Sequence, residues 1–269
     1  MLIKEESLRH WIDNFYGYGS WDAKTWFIGY EEGGGDLPEE VAEKFNYFSS
    51  VYPAANTATL CDIRELYKNV TVELEGTKSG VFKNLHEYRF GQKAMPHGAW
   101  KNLIAFVHGF RGQKLPDVLE YQKKKFATGN EAVIQFYPLP SPHNHAWYYS
   151  WLDMPQFPFL KSRSLYEEHL YPLRITGILN KIRDHRPELV LMYSMSNINV
   201  MKNSVQEFFH DAKFKMVKGA KLETPQHHRA DFNGTTLLIT TQQPTLRHNR
   251  IETGFDWYEF GKKVKSGQL

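Results

Sequence analysis

The residues best suited to chemistry lie in Gly29-Tyr30-Glu31-Glu32-Gly33-Gly34-Gly35-Asp36, where an apolar run, Thr25-Trp26-Phe27-Ile28, stops at a glycine. Glycines allow positive φ and close backbone approach to a ligand. A glycine-bracketed carboxylate pair at a strand end is therefore suited to holding a water or a substrate edge. A tight turn with solvent-facing acids fits this stretch as well. A second apolar run, Ala132-Val133-Ile134-Gln135-Phe136-Tyr137, leads into Pro138-Leu139-Pro140-Ser141-Pro142-His143-Asn144-His145. Three prolines at alternate positions stiffen that loop, so Gln135 and the residues from His143 to His145 are held in place. A third and a fourth apolar run end at Tyr193-Ser194-Met195-Ser196 and at Gln242-Gln243-Pro244-Thr245.

Two rival chemistries are weaker. His143-Asn144-His145 and His227-His228 lack the i, i+4 helical spacing with a glutamate that marks a zinc site, so no metal is expected. Ser194 and Ser196 lack the glycine-x-serine-x-glycine setting of a nucleophile elbow and read as a cap and packing pair.

The elements that must position these groups follow from periodicity. Leu8, Trp11, Ile12 and Phe15 predict an amphipathic helix over 4–16. Asp36 and Pro38 mark a helix start near 37–41. Further helices are expected within 57–69, over 97–109 with Gly109 as its stop, over 116–127, over 165–185 through Pro172, near 199–210 and over 255–264. Residues 71–91 read as loop or short strands without a functional role. Four apolar strands separated by helices predict an α/β three-layer sandwich with a central four-stranded, mainly parallel sheet. Ligands bind such sheets beyond the carboxyl ends of the strands, where all four loops would meet.

The chain has 269 residues, enough for one domain spanning 1–269 with a sizeable core. A net charge of +3 permits an anionic partner without requiring one. One cysteine, Cys61, excludes a disulfide framework and any four-cysteine metal site. No stretch approaches the roughly 20 apolar residues of a membrane span, and residues 1–6 lack a signal-peptide pattern. A soluble, cytoplasmic monomer with no cofactor is expected.

Taken together, Gly29-Tyr30-Glu31-Glu32-Gly33, Val133-Ile134-Gln135-Phe136-Tyr137-Pro138 and Gln243-Pro244-Thr245-Leu246-Arg247 resemble, in order and spacing over about residues 24–251, the uracil-DNA glycosylase superfamily. The resemblance implies a uracil-DNA glycosylase-like fold and a monofunctional DNA glycosylase, which flips a base out of DNA and hydrolyses its N-glycosidic bond. Glu31 falls where the family carries the acid or amide that positions water, with Glu32 beside it where proline is common. Gln135 stands at the base-reading asparagine. Gln243 replaces the histidine that donates to the leaving base, and donates more weakly. These departures point away from plain uracil, toward a damaged or modified base such as a bulky modified cytosine in phage DNA, with repair or defence as the setting. Tyr30, with Phe45, Tyr47 or Phe48, is a candidate to stack on the base, and Gly29 and Asn144 are candidates to line its pocket.

Arg247 is a candidate wedge into the base stack, and His248, Arg250 and the His227-His228-Arg229 cluster are candidates for phosphate contacts. Lys123, Lys124, Lys125, Lys213, Lys215, Lys218 and Lys221 read more simply as solvated faces. Two other classes remain open. One is a catalytically inactive DNA-binding protein on the same fold, and the other is a nucleoside or nucleotide hydrolase.

Overall fold

A computed structural model describes residues 2–53, 57–76, 80–143, 145–221, 223–245 and 254–268. The strands are β1 (Phe15–Tyr18), β2 (Thr25–Gly29), β3 (Thr59–Cys61), β4 (Leu74–Gly76), β5 (Gly80–Phe82), β6 (Glu131–Gln135), β7 (Leu189–Met192), β8 (Lys215–Val217), β9 (His227–Phe232) and β10 (Thr235–Ile239). The α-helices are α1 (Glu5–Asn14), α2 (Pro38–Val51), α3 (Ile63–Lys68), α4 (Leu85–Phe90), α5 (Gly98–Phe110), α6 (Val118–Lys124), α7 (Arg163–His185), α8 (Ile198–Phe208) and α9 (Trp257–Lys265).

The fold is α/β, with helices around one mixed sheet of eight strands in the order β3-β1-β6-β2-β7-β10-β9-β8. The sheet is therefore wider and less uniformly parallel than the four strands expected from the sequence. Those four, β6, β2, β7 and β10, are its contiguous parallel centre. Every residue of β2, β6 and β7 is buried, as strands covered on both faces must be. The additional strands had little signal of their own. β1 follows α1 without a break and pairs antiparallel with β6, whereas β8 is only three residues long and mostly exposed. β9 is joined to β10 by Asn233-Gly234, both at positive φ, which is the hairpin turn that an Asn-Gly pair favours. That dipeptide was the available clue to β9.

Register sets the location of the site. Gly29 lies opposite Gln135, Ile28 opposite Met192, and Met192 opposite Ile239. The carboxyl ends of the four central strands are thus level, and their loops emerge together. The chain steps from β2 to β6 on one side and then to β7 on the other. This reversal opens a crevice at the strand ends.

Two helix boundaries shift for physical reasons. Gly109 does not end α5 but lies within it, because α5 and α9 cross in backbone contact there. A Cβ on Gly109 would sit 2.0 Å from the Tyr258 carbonyl oxygen, and one on Gly261 would sit 2.0 Å from that of Phe106. The segment 57–69 divides into β3 and α3, with Asp62 capping the helix by accepting from the amides of Arg64 and Glu65. Among the described residues, no helix is long and apolar enough to cross a membrane.

Candidate active site

The loop after β2 is bound along the loop after β6. The Phe136 amide donates to the Gly29 carbonyl, Tyr137 to Tyr30 and Ser141 to Glu32, at 2.8, 2.8 and 2.9 Å. Glycine is needed at two points. A Cβ on Gly29 would lie 2.7 Å from the Tyr193 hydroxyl, and Gly35, at φ +78°, packs against the Pro140 carbonyl. The fully buried Arg174 holds the other strand end, donating to the carbonyls of Gln135, Phe136 and Phe15 at 2.6, 2.8 and 3.0 Å.

A cavity of about 520 Å³ opens where these loops meet. Its walls include Tyr30, Glu31 and Glu32 after β2, Gln135 and His143 from the β6 side, Tyr193, Ser194 and Ser196 after β7, and Gln243 and Thr245 after β10. The size is in the range of small-molecule clefts.

The two carboxylates have different surroundings. Glu32 has both oxygens engaged: Oε1 accepts from Lys44 Nζ at 3.0 Å and from the Tyr67 hydroxyl at 2.8 Å, and Oε2 accepts from the Tyr18 hydroxyl at 2.8 Å. Lys44 is 1% exposed and also pairs with Glu40 at 2.9 Å. Burial opposes the charge on Lys44, and the two glutamates outweigh it, holding its pKa above the usual lysine value. Burial followed by the charge of Glu32 pushes the Tyr18 and Tyr67 hydroxyls well up, so they remain donors. Glu31 is tied on one oxygen only. Its Oε2 accepts from Arg163 Nη1 at 2.7 Å, and among the described residues Oε1 accepts no hydrogen bond. Burial raises the Glu31 pKa, Arg163 pulls it back, and Glu167 adds to the rise. The arrangement separates an anchoring carboxylate from one with an oxygen left for a ligand or a water.

Arg163 begins α7, with Ser162 capping the helix through the Leu165 amide. Its Nη2 donates to Ser141 Oγ at 2.7 Å and to the Ala146 carbonyl at 3.1 Å, and its guanidinium lies over the Trp147 ring. Arg163 therefore joins Glu31 to the proline-rich loop. Gln135 is 4% exposed, and its Oε1 is buried with no partner. An unpaired buried acceptor costs about 1–3 kcal/mol unless a water or a ligand supplies the donor. Ser194 Oγ is likewise buried and unpaired in this wall, and Asn197 rather than either serine occupies the N-cap of α8.

The other residues singled out from sequence fall into distinct places. Gly29 is directly behind the cavity wall, under Tyr193. Tyr30 lines the cavity, its ring edge-on to Tyr137 at 5.0 Å, and burial followed by Glu167 raises its hydroxyl pKa. Phe45 and Phe48 are fully buried against Trp11, and Tyr47 lies half-buried on α2 outside the cavity, so none of the three is placed to stack on a ligand there. His227 is completely buried, with Nδ1 2.9 Å from the Pro225 carbonyl and its ring 5.0 Å from that of Phe260, a packing position and not a phosphate contact. Burial lowers the pKa of His227 and of the half-buried His228. Arg229 grips Asp231 at 2.8 and 3.1 Å and donates to the Val264 carbonyl at 3.0 Å. Asn144, Arg247, His248 and Arg250 lie outside the described residues.

The sequence reading missed Arg163, Arg89, His97, Tyr18 and Tyr67, all of which line the cavity. They come from helix starts and ends and from β1, where no local pattern marks a side chain as facing a distant strand end. Among the described residues, no group of three histidine, cysteine or carboxylate side chains could hold a metal ion. No family model, curated protein or solved structure matches the chain.

Proposed function

We propose that the chain is a monofunctional DNA glycosylase that hydrolyses the N-glycosidic bond of a damaged or modified base, with DNA as its partner. The observation that carries the reading is Gln135, which lines the same cavity as the half-tied carboxylate of Glu31 and whose Oε1 is buried and unpaired. An unpaired carboxamide oxygen calls for a base edge that bears a hydrogen-bond donor, such as the exocyclic amine of a cytosine.

In this reading Glu31 holds the attacking water on Oε1 and stabilises the positive charge that develops on the sugar, while Arg163 fixes its rotamer. Glu32, with both oxygens engaged, anchors the loop and adds negative potential. Tyr30 and Tyr193 border the cavity beside Gln135 and supply ring surface for the extruded base. Gln243 offers its amide to the leaving base. The wide cavity suits a base with a bulky substituent, and phage DNA is one source of such bases.

Mass spectrometry of bases released from a panel of DNAs, including heavily modified phage DNA, tests the proposal with wild type and Glu31→Gln. Release of a modified base by wild type, reduced about 10²–10⁴-fold by the substitution, is expected. Release of no base from any DNA, or unimpaired release by Glu31→Gln, would overturn it. Cleavage of free nucleosides with indifference to DNA would move the reading to a nucleoside hydrolase.

A further inference from the structure

The cavity wall formed by α4 and α5 carries two hydrogen-bond donors that the reading above leaves unused. His97 is the N-cap of α5, and its Nδ1 accepts the Trp100 amide at 3.3 Å. An acceptor at Nδ1 places the proton of the neutral ring on Nε2, which among the described residues donates to nothing. Arg89 lines the same cavity half-buried, its guanidinium 4.4 Å from the Tyr88 ring centroid, with no carboxylate or carbonyl within hydrogen-bonding distance among the described residues. Burial, then the charge of Arg89, holds the His97 pKa down at about 3, so the ring stays neutral across the physiological range.

One buried side chain ties the backbones of the two residues together. Gln122 is fully buried. Its Oε1 accepts the His97 amide at 2.8 Å, and its Nε2 donates to the Arg89 carbonyl at 2.8 Å. The first residues of α5, Gly98 and Ala99, line the cavity as well, and a helix N-terminus favours negative charge. Further along α5, Asn102 Nδ2 reaches the Thr245 carbonyl at 3.5 Å, which ties this helix to the loop that carries Gln243. Glu31 belongs to the Arg163 wall instead. The cavity thus has one wall suited to positive charge and another suited to negative charge.

We propose that Arg89 and His97 form a subsite for the electron-rich oxygen edge of the departing base, holding it by hydrogen bonds as it becomes negative. The inference rests on the glycosylase reading. In the step, the bond from the sugar C1′ to the base nitrogen breaks and its electron pair leaves with the base. The oxygen of water then bonds to C1′ and releases its proton to Glu31. The base takes a proton from solvent, and His97 keeps its own throughout. Donors already aimed at developing charge need no reorganisation, and they do here what the amide of Gln243 does more weakly.

The test compares wild type with His97→Ser, which keeps a capping acceptor, with Arg89→Met, and with Gln122→Leu as a positioning variant. The substrates are DNAs that carry uracil, hydroxymethylcytosine or glucosylated hydroxymethylcytosine. Single-turnover base release by His97→Ser and Arg89→Met should fall about 10²–10³-fold, with melting temperatures near that of wild type. The loss should be larger for poorer leaving bases, which a merely structural role would not produce. Rates within threefold of wild type for both variants would overturn the subsite while leaving the glycosylase reading in place.

A readout independent of activity separates the two ideas. ¹⁵N NMR of the full chain should show His97 protonated at Nε2 alone at pH 6–8, and titration with inorganic phosphate should shift the His97 and Arg89 side-chain signals. The opposite tautomer, or no response to phosphate, overturns the proposal whether or not a base is released. A phosphate response in a protein that releases no base would refute the departing-base role together with the reading on which it rests.

Discussion

Replacing Lys44 with methionine tests how the carboxylate loop is held. Lys44 is 1% exposed, and its ammonium lies 3.0 Å from Glu32 and 2.9 Å from Glu40, whose side chains are 10% and 9% exposed. Removing the cation leaves two buried carboxylates facing the space it occupied. Glu32 keeps its two tyrosine donors, whereas among the described residues Glu40 has no other cation. Breaking a buried ion pair by removing one partner costs about 3–5 kcal/mol. At a urea m-value of about 3 kcal/mol/M, this lowers the unfolding midpoint by roughly 1–1.7 M. A second substitution, Glu40→Gln, should recover part of the loss, because it removes the carboxylate left without a cation. Because the Lys44 pKa is raised in the folded protein, its contribution is complete below the unfolded lysine value and fades only as pH rises through the folded one. The deficit should therefore be constant from neutral pH to about pH 9. A midpoint shift below about 0.3 M, or no recovery in the double variant, would show that the network does not anchor the loop.

Three further outcomes are expected. Gly109→Ala forces a methyl group to within 2.0 Å of the Tyr258 carbonyl, so α5 and α9 must separate at a cost of about 1–3 kcal/mol or more, and an unchanged thermal melt would contradict the close crossing. Gly29→Ala places a methyl group 2.7 Å from the Tyr193 hydroxyl, so the Tyr193 ring must shift, and base release should fall by more than the effect on melting would suggest, a split readable in parallel kinetic and thermal assays. Base release that needs ionised Glu31 should fall on acidification through a pKa above the ordinary glutamate value. Since Arg163 lowers that pKa, Arg163→Met should move the acid limb of the pH–rate profile to higher pH, and a limb that stays in place or moves down would refute the ion-pair role.

Local pattern already marked the central strands and the loops that carry Glu31, Gln135 and Gln243, because fully buried strands read as continuous apolar runs that end abruptly at glycine or proline. The same signals misjudged Gly109, since a glycine near a helix end looks alike whether it caps the helix or admits another one. They also drew Phe48 and His227 into a binding role, although both are fully buried. Nothing in the neighbourhood of an aromatic or a histidine states which side of its element faces the core.

By itself, then, the sequence determined the α/β class, the four strands that form the parallel centre and the glycine-bracketed acids at the end of the first. These depend on short-range periodicity and backbone freedom, which adjacent residues specify. Only the tertiary structure decided which carboxylate keeps an oxygen without a partner among the described residues. Glu31 and Glu32 are neighbours of the same type, and the difference between them arises from Lys44, Tyr18 and Tyr67 on one side and Arg163 on the other. Likewise, Arg89 and His97 become a pair through Gln122, a residue 25 positions from His97 and 33 from Arg89. Hydrogen-bond capacity is set by partners within about 3 Å, and charge state by burial and by charges within about 4–6 Å. Across such separations in the chain, that is a property of packing.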